Sequence, residues 1–114
     1  MEITVTQLEP IAVLAISGSV DSLTSEALTQ GLGAHLQAGR SKLVADFSGV
    51  DYTSSAGLRS LLTTVKDARR AGGDLRMCGV KPNVMRVLSM SGFTSIIKIY
   101  DDLPAALASF DLAA

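Results

Sequence analysis

The run Lys42 to Phe47, Lys-Leu-Val-Ala-Asp-Phe, is apolar between polar ends and is flanked on both sides by segments of helical period. A strand with so little alternation is buried on both faces. That condition is met in parallel sheets covered by helices. On its N-terminal side Leu28, Leu32 and Leu36 recur every fourth residue, one stripe of a helix. On its C-terminal side Leu58, Leu61, Leu62, Val65 and Ala68 fall on one face of a second helix, predicted from about Ser54 to Ala71.

The remaining segments fit the same frame. Ile3 to Leu8 alternates and reads as a half-buried strand. Glu9-Pro10 breaks it, and Ile11 to Ile16 reads as a second strand, antiparallel to the first. Asp21 or Ser22 is the expected N-cap of the first helix, and Gly39 its expected end. Ser48-Gly49-Val50-Asp51 reads as a loop. Gly72-Gly73 stops the second helix, and Leu75 to Cys78 is an interior strand. Pro82 suits the first turn of a third helix that ends at Ser91-Gly92. Ile96 to Tyr100 is a further strand, Pro104 to Phe110 a last helix, and Asp101-Asp102 its cap. The order β-β-α-β-α-β-α-β-α predicts an α/β fold: a mostly parallel mixed sheet of four to five strands with helices packed on it. Residues 1–114 are expected to form one domain, since no linker, repeat or low-complexity stretch interrupts them.

Composition removes several function classes. Ten basic residues against 11 acidic ones, a net charge of −1, offer no clustered basic surface for nucleic acid or anionic membrane. No apolar run approaches the ~18 residues of a membrane span. The chain opens Met-Glu-Ile-Thr-Val, without a basic segment and apolar core, so no secretory signal is expected and a cytoplasmic location is the default. The single cysteine, Cys78, is read as a small buried apolar residue, and the single histidine, His35, as an ordinary helix residue. No phosphate-binding glycine loop, nucleophile elbow or metal-ligand spacing occurs, and no cofactor or metal is expected. Asp46 ends a central strand where a receiver domain would carry its phosphoacceptor. The acidic pair and lysine that this chemistry needs are missing, so Asp46 is read as accepting hydrogen bonds from loop amides.

The most informative stretch is Asp46-Phe47-Ser48-Gly49-Val50-Asp51-Tyr52-Thr53-Ser54-Ser55-Ala56-Gly57-Leu58-Arg59. It leads from the buried strand through a polar turn into a helix whose start holds Thr53, Ser54 and Ser55. A helix start carries unpaired amides and the positive end of the dipole. A serine there caps the helix. A phosphoserine there would be cradled by the same amides. Arg59 stands one turn beyond Ser55, placed to pair with a phosphate or a partner carboxylate. The residues alone leave simple capping and a regulated serine equally open.

The same stretch resembles the signature of STAS domains, the family of bacterial anti-sigma factor antagonists. Ser17-Gly18-Ser19-Val20-Asp21 resembles the family's loop before its first helix, and Gly72-Gly73-Asp74-Leu75 its turn into the next strand. Val87-Leu88-Ser89-Met90-Ser91-Gly92-Phe93 with Ile99-Tyr100 resembles its C-terminal part. The resemblance spans nearly the whole chain and implies a stand-alone STAS domain that is not an enzyme.

The resemblance implies partner switching. The unphosphorylated antagonist binds an anti-sigma factor that is also a serine kinase of GHKL type, which frees the sigma factor. Phosphorylation at the start of the second helix abolishes binding, and a PP2C-type phosphatase resets the switch. No direct contact with nucleic acid and a monomeric state are implied. Laid on the Asp-Ser-Ser-Gly-Leu of the best-known sporulation antagonist, the modified serine falls on Ala56 of this chain. The role then passes to Ser55, with Ser54 the second choice, unless this member carries no phosphate. Asp21, Ser22, Thr53, Ser54 and Arg59 are the expected partner contacts. Met90 and Phe93 are read as core, with an exposed contact as the alternative, and Tyr52 as a cover for the strand end. A STAS accessory subunit of a lipid or anion transporter, not phosphorylated, is the alternative function.

Overall fold

The computed structural model describes residues 2–8 and 10–110. Strand β1, Glu2–Leu8, pairs antiparallel with β2, Ile11–Val20, in unbroken register from Glu2 opposite Ser17 to Leu8 opposite Ile11. Helix α1, Ser25–Gln37, leads to β3, Lys42–Thr53. Helix α2, Ser55–Arg70, leads to β4, Asp74–Cys78. Helix α3, Pro82–Met90, and a 3-10 turn, Phe93–Ser95, precede β5, Ile99–Tyr100, and helix α4, Leu103–Ser109, follows it. The five strands lie in the order β1-β2-β3-β4-β5, and every pair after the first is parallel. The expected mixed, mostly parallel sheet is the one observed.

The helices divide between its two faces. Leu28 and Leu32 of α1, Leu61 and Val65 of α2 and Val84 and Leu88 of α3 share one core with Leu14, Ile16, Leu43, Phe47 and Met77 of the sheet. Ala106 of α4 and Phe110 cover Ile11, Val13, Val44 and Cys78 on the other face. Cys78 is buried there, and desolvation, together with the nearby Asp46 and Asp102, pushes its thiol up to about 12. His35 is also largely buried; burial and the adjacent Arg40 hold its pKa below the ordinary value. The Arg40 guanidinium can only donate, so the neutral ring accepts through Nδ1 at 3.0 Å.

Four boundaries differ from the sequence-based expectation. Strand β2 does not end at Ile16 but continues beside β3 to Val20. Ser48–Asp51 is not a loop: β3 continues for 12 residues to Thr53, with Gly49 opposite Ser17, Val50 opposite Gly18 and Tyr52 opposite Ser19. Two register shifts accommodate the irregular side-chain pattern that hid this extension. The first helix does not start at Asp21 or Ser22. Asp21 Oδ1 accepts from the amides of Leu23 (2.9 Å) and Thr24 (3.1 Å), which closes a turn, and the N-cap is Thr24. The last strand is only Ile99–Tyr100, because Phe93–Ser95 folds as a 3-10 turn and the Ile96 carbonyl is taken by Arg69. Asp46 does accept a local amide, that of Ser48, at 3.0 Å, and Asp102 caps α4 through the Ala105 amide at 2.9 Å.

Candidate functional site

Strands β2 and β3 end side by side, with Val20 opposite Thr53. The Ser54 amide donates to the Val20 carbonyl at 2.8 Å, which fixes where α2 begins. Ser54 has extended backbone, φ −102° and ψ 174°, and its Oγ accepts from the Gly57 amide at 3.3 Å. This is N-cap geometry. Gly57 must be small: a Cβ there would stand 2.6 Å from a Val20 methyl and 2.7 Å from Thr53 Oγ1. The buried Thr53 therefore braces the junction from inside.

Ser55 is the first residue of α2 and is exposed. Among the described residues its hydroxyl makes no hydrogen bond. The amides of Ser55 and Ala56 lie in the first turn, where no acceptor exists within the helix. Arg59, one turn on, is exposed, and its guanidinium has no ion-pair partner among the described residues.

Two hollows meet at this helix. One, of about 250 Å³, separates α2 from the 3-10 segment. Leu58, Leu62, Phe93 and Ile96 line it with apolar surface, and Ser55 and Arg59 with polar surface. The other, of about 290 Å³, lies between α1 and α2, where Glu26, Thr29, Ala56 and Thr63 join Arg59. Ser60 ties its two walls together, donating to the Ser25 carbonyl at 3.0 Å and accepting from Thr29 Oγ1 at 2.7 Å. A larger hollow, about 640 Å³, runs along residues 94–100 beside Arg69 and Met85 and includes none of the motif serines.

The remaining expected residues come from other parts of the chain and play different parts. Asp21 follows Val20 directly; desolvation opposes its charge, but the amides of Leu23 and Thr24 and the Thr24 hydroxyl outweigh it and hold the carboxyl below its ordinary value. Ser22 is exposed, beside Leu23, which is 89% exposed. Phe93 is buried as expected, but Met90 is not core: it ends α3 with 82% of its surface exposed. Tyr52 is also exposed, at 52%. Leu23, Met90 and Ile96 are apolar contact candidates that helical periodicity does not single out. Among the described residues no cluster of three or more His, Cys, Asp or Glu gathers that could hold a metal, and no helix is long and apolar enough to cross a membrane.

Known proteins resemble this chain in sequence and in fold. The chain is 35% identical over 113 residues to BtrV of Bordetella bronchiseptica, described as a candidate anti-sigma factor antagonist, covering 99% of this chain and 97% of that one. The crystal structure of an anti-sigma factor antagonist from Mycobacterium paratuberculosis matches with TM-score 0.86 at 27% identity, over 95% of this chain and 92% of that one. The phosphorylated form of the Bacillus cell fate determinant SpoIIAA shares the fold, with TM-score 0.73 at 14% identity, over 96% of this chain and all of that one. The STAS domain model matches residues 2–106, and the chain belongs to the STAS domain family.

Proposed function

We propose that this chain is an anti-sigma factor antagonist that works by partner switching, with Ser55 as the phosphorylated residue. The observation that carries the reading is the division of labour at the α2 start. Ser54 is occupied as the cap, while the next hydroxyl is exposed, unbonded and at the lip of an apolar groove. The near full-length likeness to BtrV supports the function class. Unphosphorylated, the chain binds an anti-sigma factor that is also a GHKL-type serine kinase, through the groove, Arg59 and the Asp21–Ser22 turn. Phosphorylation adds about −1.5 to −2 charges where the partner meets apolar surface. The amides of the first turn and Arg59 hold the phosphate on the antagonist's own side. Tenfold weaker binding requires only ~1.4 kcal/mol, so one modification suffices as a switch, and a PP2C-type phosphatase resets it. The chain is thus a substrate and a ligand and catalyses nothing itself.

The test is capture from lysate of the source cell by wild type, Ser55→Ala and Ser55→Asp, read by mass spectrometry, followed by incubation of the captured kinase with ATP. The expected result is a GHKL-type kinase on wild type and Ser55→Ala, its loss on Ser55→Asp, and phosphate on Ser55 of wild type alone. Equal capture of transporter subunits by all three proteins would replace this reading with an accessory-subunit role.

A further inference from the structure

The near-neutral total charge conceals an uneven distribution. Eight of the ten basic residues and two of the 11 acidic ones lie between Tyr52 and Tyr100. Both acids there are engaged: Asp74 holds Arg69 and Arg76, and Asp67 pairs with Arg70. Part of the positive surplus lies on the exposed side of α2. Arg59, Leu62 and Lys66 follow one another at spacings of three and four, so they share one side of the helix. Lys66 is exposed and, like Arg59, makes no ion pair or side-chain hydrogen bond among the described residues. Glu26 shares the hollow between α1 and α2 with Arg59 but does not pair with it.

Leu62, between the two cations, is half-buried. It lines the groove of about 250 Å³ with Leu58, Phe93 and Ile96. An apolar groove is thus flanked along the helix by two uncompensated positive charges, seven residues or about 10 Å apart. Charge and shape together select the occupant. The groove is smaller than the roughly 300–1,000 Å³ of small-ligand sites, so it suits side chains of a partner instead of a cofactor. A nucleic acid strand would use the cations but not the apolar floor, and Phe93, the aromatic residue in the groove, is buried and offers no face for base stacking. A lipid surface needs apolar side chains that project, whereas Leu58 and Leu62 are half-buried in a hollow. What fits is an amphipathic protein helix that sets an apolar side chain into the groove and carries carboxylates two turns apart.

We propose that Arg59, Leu62 and Lys66 form the recognition stripe for an acidic amphipathic helix of the partner. The proposal rests on the reading of the α2 start as the partner-binding surface. It adds the chemistry of the partner's contact segment, and Lys66 as a residue that selects it. The two cations differ in role. Arg59 is one turn from Ser55, so a phosphate there takes its guanidinium from the partner's carboxylate. Lys66 is 11 residues from Ser55, about 16 Å along the axis and outside the reach of that phosphate. Phosphorylation therefore removes one of the two charge contacts by competition, and Lys66 serves the partner alone.

Titration of the isotope-labelled full chain, followed by amide chemical shifts, tests this without any kinase. The probe is a helical peptide of about 18 residues, five turns, with leucine at every third or fourth position flanked by glutamate. Its control has lysine in place of each glutamate. The acidic peptide is expected to shift amides of residues 55–70 and 93–96, and the basic peptide to leave them in place. Lys66→Glu and Arg59→Glu, with the fold verified by circular dichroism, are expected to weaken the acidic peptide at least tenfold, and Lys66→Arg to retain it. Phosphoserine at position 55 should weaken it likewise. An acidic peptide that leaves these amides unmoved at millimolar concentration, or that binds folded Lys66→Glu as well as wild type, overturns the proposal. So does tighter binding of oligodeoxythymidylate or of phosphatidylglycerol vesicles at the same amides. Phosphorylation of Ser55 has its own test in the kinase capture, so the failure of one reading is distinguishable from the failure of the other.

Discussion

Ser54 and Ser55 differ by one position and by everything that decides what a hydroxyl does. Ser54 Oγ accepts the Gly57 amide, and its own amide is anchored to Val20. Ser55 Oγ faces solvent, with no partner among the described residues. Replacing a serine cap by alanine typically costs about 1 kcal/mol, and for a domain near this size that lowers Tm by roughly 4 °C. Ser54→Ala is expected to show that loss. Ser55→Ala is expected to stay within about 0.5 kcal/mol of wild type, as exposed substitutions do. Thermal unfolding of the two variants side by side checks the assignment. An equal loss in both would mean that Ser55 also holds the helix start, and its availability for phosphate would fall with it. The same contrast accounts for the departure from the Asp-Ser-Ser-Gly-Leu pattern. Where that motif has Asp, this chain has Ser54, and either side chain can cap.

At the scale of elements, the groove beside Ser55 depends on a buried charge well away from it. Asp74 opens β4 and binds Arg69 Nε through Oδ1 at 3.0 Å and Arg76 Nε through Oδ2 at 3.1 Å. Arg69, in the last turns of α2, also donates to the Ile96 carbonyl at 2.7 Å. Ile96 lines the groove. One carboxylate therefore ties helix, strand and the 3-10 segment together. Removing one partner of a buried pair leaves the others uncompensated, and Asp74→Ala is expected to cost roughly 3 kcal/mol. Asp67 pairs with Arg70 in the open, with side chains 47% and 79% exposed, and Asp67→Ala should cost under about 1 kcal/mol. Denaturant unfolding separates the two, and equal losses would refute the special place given to Asp74. This network also marks where sequence reading stopped. The α2 stripe was legible because Leu58, Leu61, Leu62, Val65 and Ala68 repeat at the helical period. Asp74 was visible only as part of a turn, since its partners lie five residues before and two after it and Ile96 is 22 residues further on. The extension of β3 through Ser48–Asp51 was illegible for another reason: Ser, Gly and Asp there mimic a turn, and only pairing with β2 makes them strand. The two serines were legible as a site. Which of them caps was not, because that is decided by the extended backbone at Ser54.

At the scale of the whole molecule, the candidate switch sits on the rim and the stability sits behind it. Three helices cover one face of the sheet and α4 the other, where Arg76 stacks over the Phe110 ring at 4.1 Å and donates to Ser109 at 2.8 Å. The α2 start lies where β2 and β3 both end, outside these cores. A phosphate on the exposed Ser55 therefore needs no buried space and displaces no core side chain. It meets free amides at the positive end of a 16-residue helix. A negative charge in that position is worth about 0.3–1 kcal/mol to the helix, enough to raise Tm by up to roughly 4 °C in a domain of this size. The chain phosphorylated at Ser55 is thus expected to unfold at the same temperature as the unmodified chain or slightly above it, with amide exchange in β2 and β3 unchanged. Calorimetry and hydrogen exchange on the two forms, the modified one made with phosphoserine incorporated at position 55, supply the check. If phosphate lowered Tm by several degrees or released the β2–β3 amides, the switch would act by loosening the fold. If stability holds while binding is lost, the partner is turned away by surface charge alone, and a small rigid domain can be cycled repeatedly without passing through an unfolded state.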